Sequence, residues 1–301
     1  MAAQDFDPDM YTKMFTFTSK YHRDLYPAIE AAQSSGSGKH VLVTGASKGL
    51  GRAMALSWAR AGAAGIAICS RKVETLAPVA AEIKALNSKI EVLALACDTT
   101  KSSDVAKLFE KSKENFGKLD VVIANVGLTS YGKIGEEDEE EWWDIMTTNI
   151  RSAHLAAHHY IRIFGPDPIG TFITMTSGVA GVAFPGLSSY GMSKSADINL
   201  VEYLDIEYAS LKAFSMDPGV VKGVAAMPAF VPYAFDTPEL VGAFSIWLAS
   251  GRADKVKGGY VHITWDVEEL EKYGDEIKEK GLLKSKFLGG LLGNEGGALK
   301  K

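Results

Sequence analysis

Two cysteines in 301 residues are too few for a disulfide framework. Cys69 and Cys97 stand at the ends of apolar runs, where a thiol reads as a small core residue in a reducing cytosol. No apolar run approaches the roughly 18 residues a membrane span requires, so no membrane partner is expected. A basic surplus is missing too, since 32 Lys and Arg face 37 Asp and Glu for a net charge of −5. Phosphate neutralisation needs a basic face, and a nucleic-acid partner is not expected. Met1 to Asp9 are acidic and lack the basic start and apolar core of a secretory signal, so the expected location is cytoplasmic. One further gap is local: between Gly51 and Lys72 there is no Asp or Glu.

With 47% hydrophobic residues the chain can bury one core of α/β size. Residues 1–38 read as an N-terminal arm in which aromatic and polar residues mix without period, ending in Ser34-Ser35-Gly36-Ser37-Gly38 as a flexible hinge. Over 39–265, β-rich runs alternate with helical patterns. The strands read are 40–44, 65–69, 90–96, 120–124, 169–176, 212–217 and 259–263. The helices are 50–61, 73–86, 102–116, 137–164, 188–210 and 238–250. Such alternation predicts one doubly wound, Rossmann-type parallel sheet of about seven strands with helices on both faces, and ligands outside the carboxyl ends of its strands. A charged helical pattern follows over 267–280, and 266–301 closes as a tail with a mobile end. The acidic run Glu136 to Glu141 suits the start of the long helix, and Trp142 and Trp143 read as core or interface.

Thr44-Gly45-Ala46-Ser47-Lys48-Gly49-Leu50-Gly51 follows the first apolar run and opens an alanine-rich helix. Glycines allow a sharp turn and a close approach of backbone to phosphate, and the helix start offers free N–H groups and a positive dipole end. An ordinary strand-to-helix turn uses glycines in the same way. In a dinucleotide site an acidic residue some 20 positions on would hold the adenosine ribose. Here Cys69-Ser70-Arg71-Lys72 stands there instead. Arg71 can pair with a 2′-phosphate, with Lys48 or Arg52 adding charge from the loop, which points to NADP. Asp98 could accept from the adenine amino group, or simply serve as a cap or turn residue.

Tyr190 and Lys194 lie four apart on a helix, hence on one face. A close cation favours the phenolate and lowers the high pKa of a tyrosine. Ser177 ends a strand and could hold a carbonyl oxygen, while the Asn149 amide could fix a water and pass protons to Lys194. Singly, each has a plain structural reading.

Taken in order, these residues resemble the short-chain dehydrogenase/reductase family. The resemblance runs over residues 40–263 through the glycine loop, Asn125-Val126-Gly127, Asn149, Ser177, Tyr190-Gly191-Met192-Ser193-Lys194 and Asp217-Pro218-Gly219-Val220-Val221. It implies a nicotinamide-dependent carbonyl/alcohol oxidoreductase. Tyr190 would be the acid/base, Ser177 the substrate orienter, Lys194 the ribose ligand and Asn149 part of the proton relay. Gly45, Ser47, Lys48, Gly49, Leu50, Gly51, Arg71, Asp98, Asn125, Gly127, Tyr190, Lys194, Pro218, Gly219 and Val221 would bind NADP. Gly223 departs from the family, in which many members place there a threonine that bonds the nicotinamide amide. Val126 replaces a frequent alanine, both ends extend past the usual core, and Trp265 to Leu270 look similar to members from filamentous fungi.

The expected activity is NADPH-dependent reduction of a ketone on a bulky apolar small molecule. One pocket wall is expected from 224–238, through Met227, Pro228, Phe230, Pro232, Tyr233 and Phe235. Assembly as a homodimer or homotetramer is expected through the helices over 137–164 and 188–210. The alternative is a non-redox binder of the same fold, a regulator or a substrate-shaping, cyclase-like protein.

Overall fold

In strand β1 (His40–Thr44) every second side chain shares a face, so Val41 and Val43 enter one core while Leu42 enters another. That division runs through the whole sheet of the computed structural model, which describes residues 6–224 and 227–286. Strands β2 (Gly65–Ser70), β3 (Glu91–Ala96), β4 (Val121–Ala124), β5 (Gly170–Met175), β6 (Leu211–Asp217) and β7 (Tyr260–His262) complete it. All pairs are parallel, in the order β3-β2-β1-β4-β5-β6-β7. Strand order reverses between β1 and β4, which opens a crevice beyond their carboxyl ends.

The arm contributes two short helices, α1 (Met10–Met14) and α2 (Pro27–Ala31). The crossover helices are α3 (Gly49–Arg60), α4 (Ala77–Leu86), α5 (Ser102–Phe116), α6 (Glu139–Phe164), α7 (Ser188–Glu207) and α8 (Pro238–Leu248). One core holds Trp58 of α3 and Phe244 and Trp247 of α8, and the other holds Phe109 of α5 and Tyr160 of α6. The acidic start of α6 is a cap, in which Asp138 accepts from the N–H groups of Glu140 and Glu141, both at 3.0 Å.

The expected helix over 73–86 is a 3-10 turn, Val73–Leu76, followed by α4, because Pro78 has no N–H to continue the first turn. The charged pattern after Asp266 breaks at Tyr273 into α9 (Val267–Lys272) and α10 (Gly274–Glu279). The expected flexible hinge contains a 3-10 helix, Ala32–Gly36, tied to the core by Ile29 and Ala32. A Cβ on Gly36 would stand 2.5 Å from that of Ala61. The expected mobile end beyond residue 286 lies outside the described residues.

The arm is also tied down along its length. Tyr21 bridges Trp265 antiparallel, His22 N–H donates to Thr264 O at 2.7 Å, and Trp265 Nε1 donates to Phe15 O at 2.7 Å. The Asp266 carboxylate caps α9 through Glu269 N–H at 2.9 Å and meets His22 Nε2 at 2.7 Å.

Candidate active site

The glycine loop leaves β1 and enters α3 with Gly45 at φ +65° and Gly49 at φ +57°, a region that favours glycine. Gly51 is needed for space: a Cβ there would come within 2.5 Å of Gly45 O and 2.7 Å of Asn125 Nδ2. Asn125, just past β4, donates from Nδ2 to Thr44 O at 2.9 Å and so fixes the loop against the neighbouring strand. Lys48 precedes α3, whose first-turn N–H groups have no acceptor within the helix. Ser47, Lys48, Gly49 and Leu50 therefore ring a helix start suited to an anion.

At the end of β2, Arg71 and Lys72 are exposed and form no ion pair among the described residues. Arg52 differs from expectation. Its guanidinium is forked onto the Glu82 carboxylate of α4, so it is not free to add charge to the loop. Asp98 lies two residues past β3, and its Oδ1 accepts from Thr100 N–H at 3.1 Å and Thr100 Oγ at 2.7 Å, a turn-capping arrangement.

Deeper in the crevice, a cavity of about 290 Å³ is lined by Leu50, Asn125, Gly127, Ser177, Tyr190 and Lys194, with Pro218, Gly219 and Val221 on one side. Ser177 follows β5, and its hydroxyl lies beside the Tyr190 phenol. Lys194 Nζ sits 5.8 Å from the Tyr190 ring centre and donates to Met175 O at 2.7 Å and Asp197 Oδ2 at 3.0 Å. Asn149, buried in α6, accepts from Leu128 N–H at 2.7 Å and donates to Leu128 O at 2.9 Å and Ser193 Oγ at 2.8 Å. Its amide braces the turn after Gly127, where a Cβ would stand 3.3 Å from Lys194 Nζ.

At Tyr190 the expected pull of Lys194 is present but outweighed. Burial pushes its phenol above the ordinary value, Lys194 pulls it down, Asp217 pushes it up and Ser177 pulls it down, and burial prevails. Burial also opposes the Lys194 ammonium, but the Asp197 carboxylate leaves its pKa above the usual lysine value. A phenol, a hydroxyl and an ammonium thus meet at one cavity wall, where they can pass a proton to a ligand oxygen.

The arm's share of the opposite wall was not legible in the sequence. Tyr11, Thr12 and Phe15 of the arm line the cavity with Phe184 and Phe230. The Tyr11 ring lies 4.9 Å from Phe230, 4.8 Å from Tyr233 and 6.3 Å from Phe184. Of the wall expected over 224–238, Val224, Met227 and Phe230 reach the cavity. Tyr233 backs Tyr11, whereas Phe235 is largely exposed beneath Arg23, and 225–226 lie outside the described residues. Trp142 donates from Nε1 to Ser188 Oγ at 2.9 Å, and Trp143 is exposed rather than core.

A family model described as short chain dehydrogenase matches residues 39–231. The chain belongs to the short-chain dehydrogenase/reductase family. The short chain dehydrogenase pigC of Monascus ruber is 34% identical over 286 residues, 91% of this chain and 94% of that one. A short-chain dehydrogenase/reductase of Mycobacterium marinum superposes with a TM-score of 0.70 at 26% identity, over 78% of this chain and 97% of that one. A gluconate 5-dehydrogenase of Burkholderia cenocepacia, solved with NADP and tartrate, shares the fold at a TM-score of 0.68 and 21% identity, over 77% and 96% of the two chains. Members of this family are oxidoreductases acting on CH–OH and C=O groups of small molecules with NAD or NADP. The loop, the helix start and the crevice of this chain fit a dinucleotide: Gly51 admits no side chain, and Gly127 brings the backbone to Lys194. No helix among the described residues is long and apolar enough to cross a membrane.

Proposed function

We propose that the protein is an NADPH-dependent reductase of a ketone carried on a bulky, apolar small molecule. The observation that carries this reading is the meeting of Ser177, Tyr190 and Lys194 at one wall of a cavity whose other walls are aromatic and aliphatic. The bound dihydronicotinamide supplies the hydride to the carbonyl carbon. Tyr190 delivers its proton to the carbonyl oxygen, which the Ser177 hydroxyl holds beside the phenol. Lys194 stabilises the phenolate left behind and reaches toward the nicotinamide ribose, and Asn149 holds the Gly127–Leu128 turn on the relay side. Gly45, Ser47, Lys48, Gly49, Leu50 and Gly51 cradle the pyrophosphate, while Arg71 with Lys48 takes the 2′-phosphate. Asn125, Gly127, Pro218, Gly219 and Val221 border the nicotinamide, and Asp98 stands on the adenine side.

One observation favours a non-redox binder. Gly223 offers no hydroxyl to a nicotinamide amide, which loosens the clamp on the reactive ring. Cofactor oxidation followed by absorbance over a panel of bulky ketones decides between the two: steady ketone-dependent oxidation supports the reductase, and tight NADPH binding with no oxidation supports the binder. We also infer a homodimer or homotetramer through α6 and α7, which leave Trp143, Tyr203 and Ile206 exposed. Light scattering at micromolar protein is expected to exceed the monomer mass, and a sharp monomer would refute the assembly.

A further inference from the structure

Helix α7 carries three chemical groups on one face, Tyr190, Lys194 and Asp197, at steps of four and three residues. The first two belong to the proton-donating set proposed above, and Asp197 has no part in it. Its carboxylate is nearly inaccessible, with Lys194 and Asp197 side chains 5% and 3% exposed. Oδ2 accepts from Lys194 Nζ at 3.0 Å, and Oδ1 is buried without a hydrogen-bond partner among the described residues.

Such a carboxylate is costly for the fold, because burying a charge outweighs the attraction of one partner unless the remaining lone pairs are bonded. An apolar side chain of similar volume would pack there without that cost. What the carboxylate does is set the state of Lys194. A buried ammonium tends to lose its proton, by as much as several pKa units when no counter-charge is near. A neutral amine would give Tyr190 no help as its proton leaves. The ammonium has three N–H groups; Met175 O and Asp197 Oδ2 take two, and the third remains for the cavity.

We propose that Asp197 is a positioning residue that keeps Lys194 charged and aims its remaining N–H at the crevice, so that Tyr190 faces an ammonium and not an amine. The proposal rests on Tyr190 being the acid. The groups facing Tyr190 are Lys194 and Asp197 on its own helix, Asp217 on β6 and the Ser177 hydroxyl after β5. Those facing Lys194 are Asp197, Tyr190 and Asp217. Asp217 is already held, with Oδ2 accepting from Tyr260 OH at 2.7 Å and Oδ1 from Gly219 N–H at 2.9 Å, so it does not replace Asp197 at Lys194.

The test needs no turnover. The near-ultraviolet phenolate band of the unliganded protein is titrated, with Tyr190→Phe subtracted to isolate one tyrosine. In Asp197→Asn, which keeps shape and removes charge, the Tyr190 phenolate is expected to form about one pH unit or more above the parent. In a Lys194→Met background the same substitution is expected to move the titration slightly to lower pH, because only the direct repulsion between the Asp197 carboxylate and the phenolate is then left to remove. Ketone reduction by Asp197→Asn is expected to fall about tenfold, the rate equivalent of one pKa unit. An unchanged titration, or a shift to lower pH, overturns the proposal. Nitrogen-15 lysine NMR on the parent keeps it testable if Asp197→Asn does not fold: an ammonium at Lys194 near neutral pH supports it, and a neutral amine overturns it. A parent that reduces no ketone but shows the titration shift would sink the reductase reading and leave the Lys194–Asp197 coupling standing.

Discussion

Arg23 is the side chain through which the arm holds the site, and its removal has a calculable consequence. Nε donates to Asp236 Oδ1 at 2.7 Å, Nη1 to Asp9 Oδ1 at 2.8 Å and to Pro8 O at 3.0 Å, and Nη2 to Tyr233 O at 2.8 Å. Asp236 is 1% exposed, and its other oxygen accepts from Val220 N–H at 2.7 Å in the loop after β6. Arg23→Met keeps much of the apolar stem but leaves that carboxylate buried with no cation. Breaking a buried pair from one side costs about 3–5 kcal/mol.

The pH dependence separates this cause from simple loss of packing. Burial pushes the Asp236 carboxyl above its ordinary value, and Arg23 pulls it back. A carboxyl raised in the folded state favours folding while protonated, and that advantage is lost as pH climbs through the folded value. Without Arg23 the carboxyl rises further. The stability deficit of Arg23→Met is therefore expected to be largest at neutral and alkaline pH and to shrink on acidification. Asp236→Asn on the same background should remove that pH dependence and recover part of the loss, because a neutral amide can still accept from Val220. Urea unfolding midpoints at several pH values, for the parent, both single variants and the pair, give the coupling directly. A deficit below about 1 kcal/mol, or one equal at every pH, would refute the reasoning.

Four other outcomes follow from the site. Tyr190→Phe should keep the fold and NADPH binding while turnover falls about 10²–10⁴-fold; near-parental reduction of a good ketone would remove Tyr190 as the acid. In the parent, reduction should decline as pH rises through the phenol's value while alcohol oxidation grows, since the two directions need opposite protonation states. Arg71→Asp should weaken NADPH by about 1–3 kcal/mol and raise relative use of NADH, and an unchanged ratio of the two cofactors' KM values would assign the phosphate to another group. Removing the roof with Tyr11→Ala or Phe15→Ala gives up about 1.5–3 kcal/mol of apolar contact, hence a rise of about 10- to 150-fold in KM for a bulky ketone; equal KM values would place the substrate elsewhere.

The sheet was legible because strands covered on both faces read as short apolar runs between helical patterns, and all seven were found within one or two residues of their observed ends. The glycine loop and the Tyr190–Lys194 pair were legible because their chemistry depends on local spacing. At Tyr190 the spacing reveals only the neighbouring cation, which does pull the phenol down, whereas the burial that outweighs it comes from chain far away. Asp197 stood in plain view three residues after Lys194, and an acid on the same face as a lysine and a tyrosine was a usable signal. Arg23 gave none, since its partner Asp236 is 213 residues distant.

The arm resisted reading because its work is done without periodicity, through backbone N–H and C=O groups and single aromatic rings. Its chemical reach comes from one carboxylate. Asp236 binds Arg23 with one oxygen and the Val220 N–H with the other, and a Cβ on Gly219 would collide with it. Arg23 in turn holds Tyr233, which backs the Tyr11 ring of the roof. The loop bordering the proposed nicotinamide position and the aromatic roof over the cavity therefore hang on the same buried ion pair. Displacing the arm would strip Asp236 of its cation and free Val220 in the same event, so the roof and the loop after β6 are expected to lose order together. Hydrogen exchange tests that coupling: in Arg23→Met the Val220 and Phe15–Arg23 amides should gain exchange together, and faster exchange in the arm alone would separate the two.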